Sequence, residues 1–302
     1  METVSVNTCV QPRICNFASI SNARPLPPTM QVFPNIAAQY NVDTVSVRSK
    51  REIYLEKLNK LFPNDSLNTT YNKINADFGI DQPPKLVFAD ENNGATAGGY
   101  TFQRNEIDMS LQDLMGSDTK IVGIKDGKRM TLVSPSVKLP LFVNRANAEQ
   151  FIKMQAQHGN MGFDQLVAEP ITEDEQRKFV IQKLAHEVVH AQQHMLMRQS
   201  EKIGEKEIIK AWTHEIPKNF IDNTMLNFHV NKIEKNSYWA DKPDTQKTIQ
   251  SESPAGLLTK EWLEAIRNYP PVDSPEYVKN PIESDAYNRS AEYVAKNYGW
   301  WN

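Results

Sequence analysis

The chain has 302 residues, of which 39% are hydrophobic and 24% charged, and its formal net charge is −3. That is enough apolar material for one large domain or two lobes. The charge gives no sign of a nucleic-acid or anionic-membrane partner, and no apolar run approaches the length that crosses a bilayer.

Residues 1–39 read as a flexible tail rich in Ser, Asn, Thr and Pro, as in the run from Ser19 to Pro28. The tail has no continuous apolar stretch, so it is not a conventional secretory signal. A Ser/Asn-rich leader for non-classical export is the sharper alternative to a plain tail. The expected location is therefore the cytoplasm or, by that route, outside the cell. Both cysteines, Cys9 and Cys15, fall here, with five residues between them and no histidine nearby, which argues against a disulfide framework or a zinc clip.

From Val45 to Phe62 the apolar spacing predicts a helix, ended by Pro63-Asn64-Asp65, and a second helix covers Leu67 to Phe78 before Gly79. Lys85 to Ala89 reads as a strand after Pro83-Pro84. Asn92 to Ser110 reads as two short strands with a turn near Arg104-Asn105. In the second, Ile107 and Met109 alternate with Glu106 and Asp108, as in a half-buried strand. Ile121 to Val133 is a hairpin with an Asp126-Gly127 turn, Phe142-Val143 a further strand, and Ala146 to His158 a short helix. His158 precedes Gly159-Asn160 in a turn, which reads as surface. The whole stretch Leu114 to Pro170 looks like an insertion able to rim a cleft.

A long helix follows. Thr172-Glu173-Asp174-Glu175 is a capping box, and no Pro or Gly appears until Gly204. Ile181, Leu184, Ala185, Val188 and Met195 form an apolar stripe, with His186 and His190 pointing roughly away from it. These two histidines belong to His186-Glu187-Val188-Val189-His190, the pattern His-Glu-x-x-His. Residues four apart share one helix face, so both imidazoles can reach a single ion. Glu187 stands beside the first histidine, where its carboxylate can reach the attacking water. Two nitrogen ligands, one general base and an open coordination position are what a zinc hydrolase needs.

On this motif and its helix, the chain resembles the zincin metallopeptidases. A looser likeness in the order of elements runs from Tyr40 to Trp301. The resemblance implies an α+β fold with a two-lobed catalytic domain over residues 40–302. Its N-lobe, about 40–200, would hold a small mixed sheet and the active-site helix; its mainly helical C-lobe would span about 201–302. It also implies a sheet edge over the cleft, Zn²⁺ as cofactor and a protein or peptide substrate. A gluzincin-like third ligand would be Glu283, because Pro281-Ile282-Glu283-Ser284-Asp285-Ala286 resembles the Pro-x-Glu-x-x-Ala segment of that group. Asn280 and Pro281 would start the helix that carries it, running to about Tyr298. The match has gaps. Glu283 lies 93 positions after His190, and Tyr287 stands where the thermolysin-type Glu-x-x-x-Asp has its aspartate. Glu283 also occupies the position from which it could cap its own helix, and Asp285 is the fallback ligand or a supporting group.

Metal ligands are thus expected at His186, His190 and Glu283, and catalytic groups at Glu187 and Tyr287. Tyr287 would donate to the oxyanion, with Tyr293, Tyr298 and His214 as competitors. Gln193 would orient a histidine through its free ring nitrogen. His194 lies about 12 Å beyond His186 by helical rise, too far to share its ion, and reads as a surface or supporting residue. The metzincin pattern fails, since Gln193 and Leu196 occupy its glycine and third-histidine positions. His214 and His229 are weaker ligand candidates. The alternatives are a metal-dependent amidase and a non-catalytic interaction protein. An exported effector or toxin protease and a housekeeping peptidase would look alike in sequence.

Overall fold

The computed structural model describes residues 49–89, 98–213, 223–242, 246–272 and 274–301, with the backbone alone for 223–229. The expected N-terminal tail, its cysteines and His214 lie outside the described residues. The architecture is mixed α and β, dominated by helices, with two small sheets. Residues Ser49–Asn302 belong to one compact unit. Among the described residues, no helix is long and apolar enough to cross a membrane.

Helices α1 (Lys50–Leu61) and α2 (Ser66–Asp77) come first. Ser49 caps α1: its hydroxyl accepts from the Glu52 amide at 3.2 Å, and Glu52 returns a bond to the Ser49 amide at 2.8 Å. Among the described residues the helix therefore begins five positions after the expected Val45. Strands β1 (Lys85–Ala89), β2 (Gly98–Thr101) and β3 (Glu106–Ser110) form the first sheet, in the order β1-β3-β2. β3 runs parallel to β1 and antiparallel to β2, so among the described residues β2 is an edge. The alternation in β3 places Ile107 and Met109 in the core while Glu106 and Asp108 stay half-buried.

A short helix α3 (Leu111–Met115) leads to the second sheet, where β4 (Thr119–Lys125) pairs antiparallel with β5 (Lys128–Thr131), β6 (Phe142–Val143) and β7 (Gln165–Pro170). Asp126 and Gly127 turn β4 into β5 with φ of 49° and 72°, the left-handed pair such hairpins require. α4 (Arg145–Ala156) packs on this sheet through Ala148 and Phe151. The module docks on the beginning of the long helix: Phe142 meets Phe179 with ring centres 5.2 Å apart, and Lys120 pairs with Glu175 at 2.6 Å.

That helix, α5 (Glu173–Gln199), is about 40 Å long by its rise. Thr172 and Glu175 make the expected capping box. Its apolar stripe (Ile181, Leu184, Ala185, Val188) enters a core with Leu58, Ile74, Ile107 and Leu111. The opposite side is covered too. His186, Glu187, Gln193 and His194 are all buried, because β2 and the later helices close over them. α6 (Glu205–Trp212), α7 (Asn223–Asn236), α8 (Pro254–Arg267) and α9 (Pro281–Tyr298) complete the chain. A second cluster joins Met197, Ile208, Trp262, Ile266 and Ile282, whereas Tyr293 and Val294 of α9 belong to the first core. α8 starts at a Ser253 cap, and Gly256 lets it approach the preceding loop: a Cβ there would collide with the Gln250 carbonyl.

Candidate metal centre

Helical periodicity puts His186 and His190 one turn apart on α5, with their Nε2 atoms 3.1 Å from each other. The first turn of α9 brings Glu283 between them. Its Oε2 lies 3.3 Å from Nε2 of His186 and its Oε1 3.4 Å from Nε2 of His190. The three residues are a group whose ligand atoms all lie within 4.8 Å of one another. Glu283 is 2% exposed. A carboxylate buried that deeply needs a cation or several hydrogen bonds. Among the described residues its ion-pair contacts are the two histidines.

The electrostatics favour a cation. Burial is the largest single influence on the His190 pKa and works to lower it, but the charge and hydrogen bond of Glu283, the Glu187 charge and the Gln193 amide together raise the value to about 9. Burial likewise works to raise the Glu283 carboxyl, and the two histidines hold it well below the usual carboxylate range. Oε2 of Glu283 and Nδ1 of His186 are buried without a hydrogen-bond partner. Two imidazoles, one carboxylate and an orphaned oxygen fit a divalent metal with one position left open.

The surroundings aim the ligands. Gln193 is fully buried and its Oε1 lies 2.8 Å from Nδ1 of His190. An amide oxygen there accepts from Nδ1–H, which leaves the Nε2 lone pair facing the centre. The Gln193 amide donates to the Ile282 carbonyl at 2.9 Å and to Oδ2 of Asp285 at 2.8 Å. Asp285 therefore stands behind the ligands and holds Gln193, with Arg289 beyond it at 3.4 Å. Asn280 caps α9 by accepting from the Ile282 amide, so the Glu283 carboxylate is turned to the histidines instead. Tyr269, from the segment after α8, donates to Oε1 of Glu283. Burial, then the Glu283 charge, pushes the phenol's pKa upward, so the hydroxyl keeps its proton. Nothing in sequence marks Tyr269 for this contact.

Glu187 is buried and faces β2: a Cβ on Gly98 would stand 3.4 Å from its Oε1. The glycine leaves the edge strand close to the carboxylate. A cavity of about 200 Å³ opens here, with Glu187 and the three ligands at one end. Gly98, Gly99 and Tyr100 of β2 form one wall, and Tyr277 stands on the lining. None of the lining residues comes from Leu114–Pro170, which instead docks at the start of α5. The expected rim is thus built by β2 and the C-terminal helices.

Tyr287 lays its ring against His186, with centres 4.3 Å apart, and does not line the cavity. Of its competitors, Tyr293 donates to Asp77 at 3.0 Å and Tyr298 packs beside it, both away from the ligands. His158 is exposed in its turn, and the side chain of His229 lies outside the described residues. His194 departs from the surface reading: it is 3% exposed and lines the inner end of the cavity. Its Nδ1 lies 3.2 Å from the Tyr100 hydroxyl and its Nε2 3.5 Å from Glu205, and the Phe102 and Trp239 rings flank it. In comparisons with known proteins, no family model, curated protein or solved structure matches the chain.

Proposed function

We propose that the chain is a zinc-dependent metallopeptidase with a zincin-like, two-lobed catalytic domain of the gluzincin kind. One observation carries the reading. Two helices from distant parts of the sequence bring His186, His190 and Glu283 within 4.8 Å, beside a buried Glu187 on an open cavity. Two imidazoles and a carboxylate without thiolate suit Zn²⁺ in a catalytic rather than a structural site. Zinc, when bound, supplies Lewis acidity toward the scissile carbonyl and lowers the pKa of water.

The chain's own groups do the rest. Glu187 accepts the proton of the attacking water and hands it to the leaving amine. Gln193 and Asp285 hold His190 in the tautomer that presents Nε2. Of the phenols, Tyr277 stands on the cavity lining and donates to the oxyanion, the role expected of Tyr287. The free edge of β2 pairs with an extended peptide and lays its backbone past Glu187. Elemental analysis of the untagged protein tests the centre: about one zinc per chain, lost in His190→Ala, is the expected result. No zinc after incubation with Zn²⁺ would leave a non-catalytic interaction protein.

A further inference from the structure

The cavity does not stop at the ligands. It continues along α5 past His194 to Met197, roughly 10 Å beyond His190 by helical rise. The walls of this inner chamber are apolar: Phe102 after β2, Met197, Trp212 at the end of α6, and Ile266 on α8. Trp212 stacks on Phe102 with ring centres 6.2 Å apart and meets Tyr269 at 5.2 Å. The aromatic wall therefore runs from the sheet edge to the residue that holds Glu283.

The inner end is polar, and its charged groups stand in ion pairs although Nε2 of His194, Nε of Arg198 and both Glu205 oxygens make no hydrogen bond among the described residues. His194 faces Tyr100 on one side and Glu205 on the other, and Arg198 meets Glu205 at 3.0 Å. Those charges answer each other, so a charged group entering from outside would lose its water without finding a counter-ion. The volume narrows the choice further. Pockets that swallow drug-sized ligands run to roughly 300–1,000 Å³. The cavity here holds about 200 Å³, room for one side chain beside the ligands.

We propose that this chamber is a specificity pocket, admitting one bulky apolar side chain next to the scissile bond and excluding charged ones. Trp212, Phe102, Met197 and Ile266 are its specificity-determining residues. The inference rests on the metallopeptidase reading of the centre, but its test is separable from turnover. The zinc-loaded full chain is titrated by calorimetry with the hydroxamates of glycine, leucine, phenylalanine and aspartate. The hydroxamate group chelates the metal and leaves the side chain to find the chamber.

Leucine and phenylalanine hydroxamates are expected to bind on the order of ten- to a hundredfold tighter than the glycine compound, the gain from burying such a side chain. The aspartate compound is expected to bind weakest. Trp212→Ala, and independently Val272→Trp at another residue of the cavity lining, are expected to shrink the phenylalanine-to-glycine ratio. The ratio within each variant cancels any change in the metal itself. Equal affinities across the series, or a preference for aspartate, overturn the pocket and leave the metal centre standing. The expected ranking in a protein that cleaves no peptide from a mixed library supports the pocket and overturns the peptidase reading. Failure of every hydroxamate to bind overturns both.

Discussion

One face of α5 carries three histidines at successive four-residue steps, His186, His190 and His194, yet the first two and the third belong to different regions. At His186 and His190, two ring nitrogens converge on Glu283 and no arginine or lysine among the described residues ion-pairs with it. At His194 the same helix face meets a carboxylate, Glu205, but Arg198 supplies the opposite charge and Tyr100 a hydroxyl. Arg198 also lies over the Trp239 ring, 4.2 Å from its centre. The first region has no fixed cation, only the proton that His190 holds and a metal could displace, whereas the second has brought its own. What would distinguish a candidate metal centre from a buried polar brace is the lack of a fixed counter-charge, not the presence of histidines.

The largest effect is expected where the first region is proposed to do chemistry. Glu187→Gln removes the proposed base and keeps the proposed ligands, so zinc content should hold while kcat falls by about 10²–10⁴-fold. Tyr277→Phe should cost less and also keep the metal. Retained peptidase activity in Glu187→Gln would remove the carboxylate from its assigned role. Next comes the brace. Arg198→Ala leaves Glu205 buried beside His194 without its cation, and loss of one partner from a buried pair costs about 3–5 kcal/mol. Chemical denaturation should show that loss with zinc content unchanged, and zinc lost together with stability would erase the distinction between the regions.

Gln193→Ala sharpens the comparison from the other side. It deletes the group that holds His190 and reaches Asp285, without touching a ligand. Groups of this kind are worth roughly 10–100-fold in metal affinity. Competition with a chromogenic chelator would measure it, and an unaltered affinity would make Gln193 a packing residue.

How much of this was legible beforehand follows from the range of the forces. The Thr172 and Asn280 caps, Pro281 at the first turn of α9 and the Asp126-Gly127 turn are local chemistry, and the structure has them where the sequence put them. Helical spacing likewise placed His186, Glu187 and His190 on one side, and the Pro-x-Glu-x-x-Ala likeness pointed to Glu283. Of the two readings of His194, surface or supporting residue, the surface one fails because its burial depends on Tyr100, 94 positions earlier, and on Trp239. Tyr269 and Tyr277 carry no local signal at all; a loop fold brings them in. β7 was missed because its half-buried pattern around Leu166 lacks clean alternation. α8 passed unnoticed although Ser253-Pro254 is a helix start.

Acidity separates the two regions last and most finely. In the metal-free chain the His190 pKa stands at about 9, above its unfolded value of about 6.5. The folded state therefore holds the proton more tightly, and the stability this confers is complete below pH 6.5. It is lost as pH rises from about 6.5 through 9, when the proton leaves and Glu283 loses its partner. Zinc reverses the dependence, because the ion needs the neutral imidazole and must displace that proton. Apparent zinc affinity should thus rise about tenfold per pH unit as pH climbs toward 9 and level off above it. The chain without zinc should melt at lower temperature over the same interval. Thermal scans from pH 6 to 10, with and without equimolar zinc, should diverge as pH rises. Parallel curves would show that His190 does not exchange a proton for the ion. The first region would then be a closed brace like the second.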